Sequence, residues 1–73
     1  MQLLLDTRGL VVRQRNRCFL VGTEGDERLI SPERVTSIAV TQPCMISSAA
    51  IRLAVEHGIP IHFFDALGQP QAS

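Results

Sequence analysis

The chain has no tryptophan, no tyrosine and no lysine, and only two cysteines, Cys18 and Cys44. Three phenylalanines are its whole aromatic complement, so a stacking platform for single-stranded nucleic acid is nearly absent. Two cysteines are too few for a disulfide scaffold. The N-terminus, Met1-Gln2-Leu3-Leu4-Leu5-Asp6, has neither the basic region nor the long apolar stretch of a secretion signal. Both thiols therefore read as reduced and buried, and the protein as cytoplasmic. No apolar run exceeds four residues, which excludes a membrane-spanning helix. The P-loop, the dinucleotide fingerprint, zinc-finger spacing and HExxH are all missing.

Net charge is missing as well. Seven arginines balance seven carboxylates, and a sum of zero speaks against holding a polyanion by bulk charge alone. The balance conceals an asymmetry. Residues 1–23 carry a net +3, residues 24–34 a net −2 and the remainder a net −1. The positive charge is gathered in the N-terminal segment.

Seventy-three residues make one small domain, residues 1–73, with room for a single core. The composition is 45% hydrophobic with a mean hydropathy of +0.16. That is too apolar for a disordered tail and rather apolar for a free-standing monomer, so part of the surface is expected to be covered by a partner or by further chain.

Local signals divide the chain. Residues 3–5 read as a strand ending at the turn Asp6-Thr7-Arg8-Gly9. Residues 10–15 and 18–21 read as a hairpin closed by Asn16-Arg17, since Asn tolerates positive φ. A turn over residues 22–26 leads to a strand at 27–30. Ser31-Pro32-Glu33-Arg34 has the cap, the proline and the acid of a helical turn. Residues 35–40 read as a covered strand and 41–45 as a connection. Ser47 as N-cap and Gly58 as the C′ glycine bound a helix. Its polar line is only Ser48, Arg52 and Glu56, which predicts a helix mostly buried. Residues 59–64 read as a strand, 65–68 as a hairpin turn, and 69–73 as a return strand that does not develop. The expected class is α+β, mostly β: an N-terminal meander, sandwich-like, followed by one strand–helix–strand unit.

Four arginines form the candidate site. Arg13 and Arg15 alternate with Gln14 and so share a strand face, Arg17 lies at the hairpin tip, and Arg8 at the neighbouring turn. Guanidinium groups along one hairpin edge suit a phosphate backbone. The competing reading is an edge strand protected by charge. Cys18, Cys44, His57 and His62 lack the paired spacing of a zinc site. Asp6 and Asp65 read as turn caps, although two carboxylates also suit a divalent metal.

Leu5-Asp6-Thr7-Arg8-Gly9-Leu10, Ser31-Pro32-Glu33-Arg34-Val35, Ile46-Ser47-Ser48-Ala49-Ala50-Ile51-Arg52, Gly58-Ile59-Pro60-Ile61 and Phe64-Asp65-Ala66-Leu67-Gly68 occur in an order that resembles the CRISPR-associated integrase family, the nuclease subunit of spacer acquisition. The resemblance covers nearly the whole chain and matches only the family's N-terminal β-rich domain. It implies homodimerisation, bracing of double-stranded DNA, and a second, small adaptation subunit as partner. It places the metal-dependent site, served by Mg or Mn, in a helical domain with no counterpart before Ser73. No catalytic residue, metal ligand or cofactor is therefore expected in this chain. The alternative function is a stand-alone nucleic-acid-binding or protein-interaction module.

Overall fold

Strand β1 (Gln2–Leu5) buries Leu3 and Leu5 and exposes Gln2 and Leu4, the alternation of a half-covered strand. The computed structural model describes residues 1–64 and the short strand Pro70–Gln71. The elements following β1 are β2 (Val11–Arg15), β3 (Cys18–Thr23), β4 (Asp26–Ile30), β5 (Ser37–Val40), β6 (Met45–Ile46), helix α1 (Ser48–Glu56), β7 (Ile61–Phe64) and β8 (Pro70–Gln71).

They form two sheets. The first has the order β1-β5-β7-β8, the second β4-β3-β2-β6. In the first sheet β5 lies between β1 and β7 and is parallel to both. Ile38, Ala39 and Val40 of β5 are buried in succession; Ile38 and Val40 belong to the core, whereas Ala39 lies on the other face between the exposed Leu4 and His62. The second sheet is the anticipated meander of β2, β3 and β4.

Two pairings depart from the expected order. β1 does not belong to the meander; it pairs with β5, Leu5 opposite Val40. The segment read as a connection contributes β6, which pairs in parallel with β2, Val11 opposite Met45. Both pairings join residues more than thirty positions apart, and local propensity carries no trace of them.

The short turns follow their residue chemistry. Ser31 accepts a hydrogen bond from the Glu33 amide at 3.4 Å and opens a 3₁₀ turn, Pro32–Arg34. Val35 closes that turn, so β5 starts at Ser37, two residues later than expected. The N-terminal ammonium donates to the Arg34 carbonyl at 2.6 Å, and Thr36 donates through its amide to the Met1 carbonyl at 2.7 Å. These contacts set β1 beside β5. Likewise β7 begins at Ile61, and the Pro60 carbonyl before it accepts from the Ile38 amide at 2.9 Å. The turn expected over 65–68 lies outside the described residues, and Pro70–Gln71 pairs with β7 as the return strand.

Ser47 caps α1 through its hydroxyl, which accepts from the Ala50 amide at 3.1 Å. Gly58, at φ +64°, ends it. The helix is not mostly buried. Ala50, Leu53 and Ala54 face the core against β2 and β3, but Ile51 is 43% and Val55 72% exposed. One stripe of the helix packs on the sheet, and among the described residues the apolar Ile51 and Val55 beyond it stay exposed.

A single core joins both sheets and the helix, with Leu5, Val12, Phe19 and Ile38 its most enclosed side chains. The fold is α+β and mostly β.

Gly22 is a point of close approach. A Cβ there would collide with the backbone carbonyl of Asp26 and the Cα of Glu27, neither of which is a flexible side-chain end. Gly22→Ala is expected to lower the unfolding free energy by about 2 kcal/mol, as overpacking against backbone does. Ser47→Ala, which removes only a cap, is expected to lower it by about 1 kcal/mol. Urea titration of both variants checks the order.

Candidate nucleic-acid interface

The second sheet has a covered and an open face. Val12, Phe19, Ile30 and Ile46 turn towards the core. The register therefore sends the alternate residues outward in rows: Met45, Val11, Gly22 and Glu27; then Arg13, Leu20 and Leu29; then Arg15 and Cys18. Arg13 and Arg15 do share a face, as the alternation around Gln14 required.

Arg17 extends this face at the hairpin tip. Asn16 (φ +52°) and Arg17 (φ +60°) are both left-handed, the geometry of a two-residue turn whose twist suits the flanking strands. Glycine is the favoured second residue of such a turn, whereas an arginine with its Cβ is strained there. A strained long cation at an exposed tip, two residues from Arg15, is a functional signal.

Arg8 is elsewhere. It precedes β2, while Arg17 follows it, and five strand residues at about 3.3 Å each separate their ends by roughly 16 Å. The Gly9 amide donates to the Pro43 carbonyl at 3.0 Å, which turns this corner towards the first sheet. There Arg8 borders an open depression of about 360 Å³ with Thr41, Pro43, Phe63 and Phe64. The four arginines thus divide into Arg13 and Arg15 on the open face, Arg17 at the hairpin tip beyond them, and Arg8 apart.

Electrostatics divides the three again. The Arg13 guanidinium donates to the Glu27 carboxylate at 2.6 Å. Sequence reasoning missed Glu27, because the contact crosses β3 and depends on register. Gly22 between them is the only local signal. Beside this pair lies Glu24 in the β3–β4 turn, so the charge of the face runs from acidic at that end to basic at the Arg15–Arg17 tip. Leu29, 53% exposed, and Met45, 72% exposed, lie among the charges.

The other candidate groups do not assemble. Cys18, on β3, is half-buried rather than buried; Cys44 is half-buried beside the core, where burial pushes its thiol up and makes it a poor thiolate source. His57 is the C-cap of α1, and His62 lies on β7 with its ring 6.4 Å from that of Phe64. Asp6 is exposed at the end of β1, and Asp65 lies outside the described residues. Among the described residues no group of three or more His, Cys, Asp or Glu is placed to hold a metal ion. The polar line of α1, with Gln14, borders a depression of about 350 Å³, but Arg52 and Glu56 bring opposite charges to it. No described helix is long and apolar enough to cross a membrane.

With this geometry in hand, comparison with known proteins is specific. The profile of the family described as CRISPR associated protein Cas1 matches residues 3–73. The CRISPR-associated endonuclease Cas1 2 of Saccharolobus solfataricus is similar, 40% identical over 53 residues that cover 71% of this chain and 17% of that protein. Among solved structures, a partial Cas6-RT-Cas1–Cas2 complex superposes with a TM-score of 0.88 at 20% identity, covering 99% of this chain and 22% of that one. A TtCas1–DNA complex superposes with a TM-score of 0.78 at 17% identity, covering 94% and 26%. The chain thus spans from about a sixth to about a quarter of the length of these relatives.

Arg17→Gly relieves the left-handed strain, worth about 1 kcal/mol, less the freedom that glycine adds to the unfolded chain. The variant is expected to melt at a higher temperature than the parent in a calorimetric scan, and a lower one would remove strain from the account of this turn.

Proposed function

Since the chain belongs to the CRISPR-associated Cas1 family, we propose that it serves as the N-terminal domain of a CRISPR adaptation integrase, a cytoplasmic protein of spacer acquisition. Its part is homodimerisation and bracing of duplex DNA. Chemistry belongs to the region of the relatives that this chain does not span, where Mg or Mn would act. A Cas2-type small subunit is the further partner, supported by the Cas1–Cas2 complex among the structural neighbours. Double-stranded DNA as ligand is supported by the neighbour crystallised with DNA.

The observation that carries the DNA reading is Arg17. A turn that would be more stable with glycine holds a cation instead, next to the exposed Arg15. Phosphate contact gives that strain a use. Dimerisation is supported by the apolar side chains left in solvent, Leu4 (49%), Leu29 (53%) and Met45 (72%) among them, which exceed what a small monomer needs to expose.

Binding of a short duplex of arbitrary sequence, followed by fluorescence anisotropy, tests the first claim. Arg15→Ala/Arg17→Ala is expected to weaken it about tenfold at low salt and to reduce the slope of log K against log salt by about 2, one phosphate for each arginine. Equal binding by parent and variant would overturn the DNA role of this tip. Light scattering after size exclusion should report a dimer, and a strict monomer at high concentration counts against the second claim. Incubation with duplex and manganese is expected to leave the DNA intact.

A further inference from the structure

Resting on the reading of the open face as a duplex-phosphate surface, we infer that Glu27 is an internal competitor for DNA, a carboxylate that occupies Arg13 in the place a phosphate would take.

Three observations meet at this point. Arg13 has Leu20 and then Leu29 beside it in register, whereas Glu27 has Gly22 and then Val11. The 2.6 Å contact is therefore diagonal and passes over Gly22, the one position in that row of β3 with no side chain to obstruct it. Next, the pair is accessible: the Arg13 side chain is 55% and that of Glu27 31% exposed, and both line an open depression of about 300 Å³ with Thr23 and Glu24. A ligand oxygen reaches the guanidinium without rearrangement of the backbone. Finally, Arg13 is on the same face as Arg15, and two residues further along the chain is the strained Arg17, so a strand of DNA lying on the tip extends over Arg13.

Carboxylate and phosphate oxygens offer a guanidinium the same kind of charge-assisted hydrogen bond. An exposed ion pair is weak and is readily exchanged. A phosphate that displaces Glu27 thus gains one cation but must release one anion, which then stands facing the DNA backbone. Arg13 adds little net affinity while Glu27 is charged, and Arg15 and Arg17 set the strength of binding. Glu24 nearby works in the same direction, so the duplex is anchored from the basic tip and its hold fades towards β4.

The test is a mutant cycle read by anisotropy with the same short duplex, with circular dichroism to verify folding of each protein. Glu27→Gln keeps the shape and removes the charge. It is expected to tighten binding about threefold at low salt and to steepen the salt slope by about 1, as one more phosphate contact does. Arg13→Ala should abolish the gain in the Glu27→Gln background. Glu24→Gln is the control for removal of any nearby negative charge, and its small gain should not depend on Arg13. Unchanged binding by Glu27→Gln, while Arg15→Ala/Arg17→Ala still weakens it, overturns the competition and leaves the DNA reading standing. A gain by Glu27→Gln that survives loss of Arg13 also overturns it. Binding indifferent to Arg15 and Arg17, or none by any variant, overturns the DNA reading and the competition together. A change in dimerisation instead of DNA affinity across the cycle would assign the face to protein contact and reject the competition.

Discussion

The first sheet is held by β5. Its backbone pairs with β1 on one side and β7 on the other, and Ile38 and Val40 carry its inner face into the core. Each fully buried aliphatic side chain contributes about 1.5–3 kcal/mol, and in a domain of this size few are available. The N-terminal ammonium on the Arg34 carbonyl and the Thr36 contacts to Met1 align β1 with it. Once β5 is in place, Leu5 and Ile38 meet Val12 and Phe19 of the second sheet across one core. The inner face of the second sheet is thereby committed to packing, and its outer face is free to carry charge.

Much of the local structure is legible in the sequence because its causes are local. Asn16 and Arg17 mark a hairpin, Ser47 and Gly58 bound a helix, and Ser31-Pro32 open a turn, each through backbone chemistry within four residues. The pairings of β1 with β5 and of β6 with β2 are not legible. They join distant residues, and a two-residue strand such as Met45–Ile46 is too short to have a period. The exposure of Ile51 and Val55 was missed for a related reason. Helical periodicity tells which residues are apolar, but not which of them have something to pack against.

The site divides in the same way. That Arg13 and Arg15 share a face follows from alternation, and that Arg17 sits at the tip follows from the turn. That Arg8 lies apart, beyond the far end of β2, follows from which sheet its corner faces, since the Gly9–Pro43 hydrogen bond brings it towards the first sheet. Glu27 required the register of three strands and the absence of a side chain at Gly22.

Gly22 connects stability with charge placement. The close approach of β4 to β3 needs a residue without a Cβ, and the same absence clears the diagonal path from Arg13 to Glu27. A larger residue would both push β4 outward and obstruct that path. A formal charge of zero is thus not an electrically featureless surface. Arginines towards the Arg15–Arg17 end of the sheet and the carboxylates Glu24 and Glu27 towards the β3–β4 end give it a direction. A uniform polyanion approaching such a face is drawn to one end and repelled from the other, so the distribution governs orientation where the sum would contribute nothing.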